Sequence, residues 1–432
     1  MPDKARLAAI KVLSQVLPAD GNGRSLRDVM TQERGKLSPA ERGLMMDLGY
    51  GVCRHYRLLD TWLASQMNKP LRASARAVHL ALLCGLHELW FSRRPAHAVV
   101  NTWPDICRAL KAPWAAGLVN AVLRKASTLN EMDVRSKMNP AQSWSLPDWL
   151  WLRLQQSWPS DAAHIAEHLC DTAPLTVRLQ PAHADEVDQS LRDASLTVTR
   201  CDFAEYGRRI FPAHNVADLP GFAQGWLSVQ DEAAQLPAVL LDVPPQGRVL
   251  DACAAPGGKT GQISELFPNA DITALDVDGR RLKQVQENCE RLGAQVTLLE
   301  GDAALPAQWW DEQPFDSVLM DVPCSATGII RRQPDLKWHR READIAALCG
   351  LQSRMLDAIW PLIKTGGTLV YATCSILPEE NAEQVSAFLA RQPDAREDTP
   401  VSARSVETSV GCQLLPQAGS HDGFYFARLR KR

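Results

Sequence analysis

The chain has 432 residues, of which 45% are hydrophobic and 22% charged. That balance fits about two to four globular domains and excludes disorder and collagen-like repeats. No run of about 20 apolar residues occurs, because the most apolar helical stretch, 77–90, is interrupted by His79, His87 and Glu88, and a membrane-spanning role is excluded on that ground. The net charge of −3 hides an asymmetry: residues 1–140 hold 21 Lys+Arg against 11 Asp+Glu, a balance of +10, so the remainder carries −13. A basic module joined to an acidic remainder points toward a polyanion such as nucleic acid; the competing reading is a solvated helical surface. Eleven cysteines without a Cys-x-x-Cys spacing argue against a zinc site and against a secreted disulfide framework. Arg6 and Lys11 interrupt the apolar residues of the N-terminus, which therefore does not read as a secretion signal. The expectation is a cytoplasmic protein with reduced thiols, no metal and no membrane contact.

Residues 1–140 read as helix throughout, with apolar positions at spacings of three and four. Ser38-Pro39-Ala40-Glu41 predicts a helix start with a capping box. Pro70, Pro95, Pro104 and Pro113 are expected to punctuate the later helices. Residues 138–150 hold two prolines and read as a linker. A small α+β module is expected over 141–227, with helices at 149–158 and 184–194 and strands at 174–179 and 196–199. The tryptophans at 144, 149, 151 and 158 read as packing residues. From 228 to 432 the pattern alternates: strands at 248–252, 271–276, 295–299, 317–321 and 368–372, helices at 259–266, 279–292, 343–363 and 378–390. Such alternation predicts a parallel, doubly wound sheet.

Ligands of such sheets bind beyond the carboxyl ends of the strands. The first cluster there is Cys253-Ala254-Ala255-Pro256-Gly257-Gly258-Lys259-Thr260, a small-residue turn opening a helix, where free N–H groups favour a negative group. A phosphate loop would need glycine where Cys253 stands, and Pro256 lacks an N–H. The better reading is a nucleoside cofactor with a carboxylate tail, such as S-adenosylmethionine. Asp276 ends the next strand and is placed to accept ribose hydroxyls, whereas Asp278 reads as a helix cap. Asp302 reads equally as an adenine contact or as a turn residue beside Gly301. Cys324 and Cys374 each follow a strand end among polar and turn residues, unlike Cys84, Cys170, Cys289 and Cys349, which read as small buried hydrophobes. A thiolate beside a methyl donor suggests pyrimidine methylation: adding sulfur to carbon 6 makes carbon 5 nucleophilic enough to take a methyl group. Asp321 would sit near the ring nitrogen, and it could donate a proton there only if its pKa were raised. From the residues alone the two cysteines are exchangeable in role. The basic stretch 331–340, with one tryptophan, is expected to meet unpaired RNA, the alternative being a plain exposed loop.

The motifs DACAAPGGKT, MDVPCSATG, YATCSILPEEN and GFYFARL together resemble the RNA cytosine-C5 methyltransferases of the Nop2/Sun type. The segment DLGYGVCRHYRLLD is similar to the NusB-like RNA-binding domain fused to the bacterial 16S ribosomal RNA members, so the likeness covers the whole chain. The resemblance implies an all-α NusB-like domain over 1–140, a small α+β module, and a Rossmann-like catalytic domain over 228–432. It also implies S-adenosylmethionine as cofactor, held by 253–259, Asp276, Asp302 and Asp321. Cys374 would be the nucleophile and Cys324 would assist product release, with Lys259 reaching toward the base. The implied partner is 16S rRNA, naked or early in assembly, presenting an unpaired or flipped cytosine in a hairpin loop. The rivals are a tRNA methyltransferase with the same chemistry, a P-loop NTPase, and a non-catalytic RNA-binding assembly factor.

Overall fold

The computed structural model describes residues 3–17, 23–400, 406 and 408–432. These divide into two compact units, one of residues 1–171 with 330–342 and one of residues 172–329 with 343–432. Among the described residues no helix is long and apolar enough to cross a membrane.

The first unit is helical: α1 (Lys4–Val16), α2 (Leu26–Arg34), α3 (Pro39–Ser65), α4 (Arg76–Phe91), α5 (Ala96–Ala109), α6 (Ala116–Ala126), α7 (Glu131–Arg135), α8 (Pro140–Ser143), α9 (Asp148–Ser157) and α10 (Ala162–Cys170). The expected capping box is formed, Ser38 and Glu41 each bonding the other's backbone at the start of α3. Leu48 and Val52 of α3, Leu80 and Leu83 of α4, Trp103 of α5 and Val119 of α6 are fully buried in one core. Inside it Glu88 accepts from Arg6 Nη2 at 2.6 Å and from Trp103 Nε1 at 2.8 Å, so the buried charge is paired.

Three expectations fail in this unit. Pro104 does not end a helix but lies inside α5. The face formed by Val99, Val100, Trp103, Ile106 and Cys107 is buried on both sides of it, and that burial outweighs the roughly 3 kcal/mol cost of an interior proline. Residues 138–150 are not a loose linker: Ala141, Leu146 and Leu150 are buried, and Arg57 donates to the Leu146 carbonyl at 2.5 Å while its own N–H donates to Ser145 Oγ at 2.9 Å. Packing within this unit continues to Asp171.

The third failure concerns residues 331–340. They form neither an exposed loop nor a basic face, because residues 330–342 pack within the helical unit although they follow the fourth catalytic strand in the chain. This strap contains α15 (Leu336–His339). Arg331 and Lys337 are almost fully buried. Lys337 Nζ donates to the Arg54 carbonyl at 2.6 Å, Trp338 Nε1 to the Cys53 carbonyl at 2.7 Å, and Asp335 Oδ2 accepts the Leu26 N–H at 3.0 Å. Two of the side chains that suggested RNA contact, those of Lys337 and Trp338, bond backbone carbonyls of α3.

The second unit opens with a four-stranded antiparallel sheet, β1 (Leu175–Leu179), β2 (Thr197–Arg200), β3 (Gly207–Phe211) and β4 (Leu227–Val229), in the order β2-β3-β1-β4. Helix α11 (Ala184–Asp193) covers one face, where Val177, Leu179, Ile210 and Leu227 meet Val187 and Leu191. After α12 (Leu236–Val239) come β5 (Arg248–Asp251), α13 (Gly258–Leu266), β6 (Asp271–Asp276), α14 (Gly279–Leu292), β7 (Thr297–Glu300) and β8 (Phe315–Asp321). They are followed by α16 (Ala343–Ile359), β9 (Ile363–Thr373), α17 (Ala382–Arg391), β10 (Ala395–Glu397), β11 (Cys412–Leu414) and β12 (Phe424–Lys431). The five expected strands are present, and they pair in parallel in the order β9-β8-β5-β6-β7. The sheet as a whole is mixed, because β12 pairs antiparallel with β9, β10 and β11. The expected helix at 343–363 stops at Ile359 and that at 378–390 starts at Ala382.

Burial of its ammonium pulls the Lys337 pKa down to about 8 from 10.5. Below pH 8 the folded chain bears the full cost of that buried charge; as pH climbs toward the unfolded value the folded state has already shed the proton and the penalty fades. The urea midpoint of the helical unit, followed by circular dichroism between about pH 7.5 and about pH 9.5, should therefore receive a rising contribution from this group that Lys337→Met lacks. An identical pH profile for the two proteins would contradict it.

Candidate active site

The order β9-β8-β5-β6-β7 reverses chain direction on either side of β5, which makes the carboxyl end of β5 a topological switch point. The expected cofactor and catalytic residues follow or end the parallel strands on that edge, whereas the 331–340 stretch does not. The 253–259 turn follows β5, Asp276 ends β6, Asp302 follows β7, Asp321 ends β8, and Cys324 and Cys374 follow β8 and β9.

The turn after β5 is held from outside by one face of α14. Arg281 Nη2 donates to the Ala255 carbonyl at 2.8 Å and Asn288 Nδ2 to the Pro256 carbonyl at 2.7 Å. Gly257 has φ +97, and a Cβ there would meet Val285 Cα at 2.9 Å, so both handedness and close packing call for glycine. A Cβ on Gly258 would meet nothing within 4 Å: that side of the turn faces open space. The spacing of Arg281, Val285 and Asn288 by four and three was the available sequence signal, and it is a helical face that no chemical motif marks. From the opposite side Arg178 of β1 makes a bidentate pair with Glu265 of α13, at 2.9 and 2.8 Å, and donates to the Gly258 carbonyl at 3.1 Å.

Asp276 is buried, its Oδ2 accepting the Ala255 N–H at 3.1 Å and its Oδ1 the Asp278 N–H at 3.1 Å. Asp278 caps α14 as expected. Asp302 accepts the Ala304 N–H at 2.8 Å, which is the local turn bond, and the described contacts do not join it to the other acids. Asp251, within the recognised motif but not among the expected site residues, is fully buried. Its Oδ2 accepts from Thr260 at 2.7 Å, and Oδ1 lacks a full hydrogen bond. Burial pushes its pKa up to about 6, only partly offset by Thr260, Lys259 and the Cys253 N–H.

Across the switch point, Lys259 Nζ donates to Asp321 Oδ2 at 2.6 Å and lies 5.2 Å from the centre of the Phe424 ring. Burial works against the Lys259 charge, but Asp321, Cys374 and Asp251 outweigh it and hold its pKa above the ordinary lysine value. Asp321, which the sequence offered as a proton donor, is thus engaged as an acceptor. Phe424 begins β12, so the C-terminal motif GFYFARL serves the site by backing this lysine. Cys324 Sγ and Cys374 Sγ are 3.4 Å apart. The hydrogen bond with Cys374 raises the Cys324 thiol well above the ordinary cysteine range, and burial and the Glu380 carboxylate push the same way. Burial likewise lifts the Cys253 thiol well above that range. The two cysteine loops are tied by backbone: Gly328 N–H donates to the Cys374 carbonyl at 2.9 Å and Gly423 N–H to the Gly328 carbonyl at 3.0 Å. Side chains at both glycines are excluded, since a Cβ on Gly328 would sit 2.2 Å from the Gly423 carbonyl oxygen.

Comparison with known proteins agrees with this arrangement. A model of the 16S rRNA methyltransferase RsmB/F family matches residues 238–430, one of the NusB family matches 3–128, and one of the RsmF/B-like ferredoxin-like domain matches 146–217. The ribosomal RNA small subunit methyltransferase B of Pseudomonas syringae pv. tomato is 43% identical, covering 99% of this chain and 96% of that relative. The protein of the same name from Vibrio vulnificus is 42% identical over 99% of both. The chain belongs to the 16S rRNA methyltransferase RsmB/F family. A solved methyltransferase homologue from Pyrococcus horikoshii is 27% identical with a TM-score of 0.61, covering 69% of this chain and 99% of that one. The solved protein PH0851 shares the fold over 100% of this chain and 99% of its own, with a TM-score of 0.80 at 24% identity.

Residues 3–128 are therefore NusB-like, residues 146–217 ferredoxin-like, and the parallel strands the core of a Rossmann-like methyltransferase domain that takes S-adenosylmethionine. The site fits that cofactor: the open side of Gly258 leaves room for a ligand against backbone N–H groups, and Asp251 keeps a buried acceptor short of a partner. Asp251→Asn should weaken S-adenosylmethionine binding, measured by calorimetry, by roughly tenfold to a hundredfold. In the native protein, affinity should fall as pH drops through about 6, where Asp251 takes up a proton. Unchanged affinity in both experiments would place the cofactor away from this carboxylate.

Proposed function

We propose that this protein methylates carbon 5 of a cytosine in 16S rRNA through a covalent cysteine adduct at carbon 6. The observation that carries the reading is the pair of cysteines 3.4 Å apart at adjacent strand ends, beside a lysine–aspartate pair on the cofactor side. When bound, S-adenosylmethionine supplies an electrophilic methyl group.

The turn 253–259 with Asp276 and Asp302 holds the cofactor: Asp276 receives the ribose and Asp302 faces the adenine. Asp321, fixed through Oδ2 by Lys259, turns Oδ1 to the cytosine and orients the ring. Cys374, near the Lys259 cation, adds through sulfur to carbon 6. The electron pair so pushed onto carbon 5 makes it the methyl acceptor. Carbon 5 then passes its proton to a water molecule acting as base, the freed electron pair re-forms the ring double bond, the carbon–sulfur bond breaks, and Cys374 leaves as thiolate. Cys324, in contact with Cys374, assists that release. Attack on a ring carbon needs the base out of its stack, which favours a cytosine in a hairpin loop of naked or early-assembly RNA. The reaction places the protein in the cytoplasm with its rRNA.

The reading is tested by incubating the protein with tritiated S-adenosylmethionine and 16S transcript, followed by bisulfite sequencing. The expected result is one protected cytosine. Label on bulk tRNA but not on 16S would keep the chemistry and move the substrate; no label on any RNA would overturn the reading. Cys374→Ser should lose at least about a thousandfold in turnover, as the loss of a nucleophile does. Cys324→Ala should accumulate a gel-stable protein–RNA adduct, and normal turnover without an adduct would remove Cys324 from release.

A further inference from the structure

Glu380 has 0% exposure and lies in a short 3-10 turn between β9 and α17. Four donors converge on its carboxylate. Ser325 N–H gives 2.8 Å and Gln352 Nε2 3.2 Å to Oε1; Ser325 Oγ gives 2.5 Å and Ser375 Oγ 2.6 Å to Oε2. Ser325 follows Cys324 and Ser375 follows Cys374, so one carboxylate grips the residue next to each cysteine. The same turn is anchored from below, Tyr371 OH donating to the Glu380 carbonyl at 2.7 Å. Gln352 also donates to the Pro323 carbonyl at 2.9 Å, which holds the other side of the Cys324 loop.

The charges around the two sulfurs are unequal. Cys324 faces Cys374, the Glu380 carboxylate and the Tyr371 phenol. Cys374 contacts Cys324 and interacts with the Lys259 cation, itself paired with Asp321. A negative charge disfavours a second one nearby, and a positive charge favours it. Two thiols in contact cannot both ionise at little cost, so the fixed charges choose which one does.

We propose that Glu380 is a positioning residue that clamps the two cysteine loops together and, by its buried negative charge, leaves Cys374 rather than Cys324 as the nucleophile of the pair. The proposal rests on the reaction given above and adds no step to it. It supplies what the strand-end motifs alone leave open, because the motifs place a cysteine at both ends, while Glu380 takes two bonds from Ser325 beside Cys324 and one from Ser375 beside Cys374, and the Lys259 cation acts on Cys374.

Alkylation by iodoacetamide, mapped by peptide mass spectrometry on the full chain, tests this without RNA or methyl transfer. Its failure is thus distinct from failure of the methylation assay. In the wild-type protein Cys374 should be alkylated at least about tenfold faster than Cys324; equal or reversed rates would overturn the proposal. In a Cys374→Ser background, which removes the neighbouring sulfur, the pH midpoint of Cys324 alkylation should drop by about one unit on adding Glu380→Gln. Adding Glu380→Asp instead, which keeps the charge, should leave the midpoint high. A midpoint that is the same with Glu and Gln would overturn the electrostatic role. If Glu380→Gln proves unfolded by circular dichroism, the wild-type ratio and the Glu380→Asp midpoint still decide: a midpoint that drops as the charge is kept would overturn it.

Discussion

Parallel pairing of β8 with β9 sets Asp321 opposite Ala372 and Met320 opposite Tyr371, and the reactive end of the sheet follows from that register. Both strands stop within three residues of a cysteine, so the pairing brings the two sulfurs to 3.4 Å although they are 50 residues apart in the chain. A slip of one residue would turn every side chain to the opposite face. The register is secured on both faces: Leu369 and Tyr371 of β9 join one core, Val370 and Leu319 another. Beyond the strands the hold passes to backbone contacts that only glycine permits, at Gly328 and Gly423, and to the carboxylate of Glu380. The antiparallel strand β12 contributes Phe424 behind Lys259 and Gly423 beside the Cys324 loop.

Buried charge is concentrated where positions must be kept. Glu380 with its four donors, Lys259 with Asp321, Arg178 with Glu265 and Arg6 with Glu88 are all largely removed from water. Such groups add little net stability, since desolvation offsets most of the attraction. Their cost is tolerated because losing either partner would strand the other, so each pair admits one geometry. Around the turn after β5 the bonds go to backbone instead: Arg281 and Asn288 bond carbonyls that a loose loop would leave to solvent. The result is a turn held from α14 and from β1, with open space at Gly258.

Where sequence reading failed, local pattern and tertiary use had parted. Residues 331–340 read as an RNA-facing basic loop because composition reports charge and not direction; Lys337 donates to the Arg54 carbonyl and Arg331 is buried. Residues 138–150 read as a linker because of Pro140 and Pro147, yet both open helices at positions where a missing N–H is harmless. The strands β3, β4 and β10–β12 were not anticipated. They are short or lie on the antiparallel side, where the alternation with helices that revealed the parallel strands is absent.

By itself the sequence determined the alternation of strands and helices, the small-residue turn after β5, the helical character of the first 140 residues and the presence of a cysteine at two strand ends. These are local properties, written in spacing and residue size. Tertiary structure alone decided that the two cysteines touch, that Lys259 meets Asp321 rather than standing free, and that one buried carboxylate, Glu380, ties both cysteine loops. Those facts depend on strand order and register, which arise from pairings between segments tens of residues apart, and no local pattern encodes which edge of a strand its partner will take.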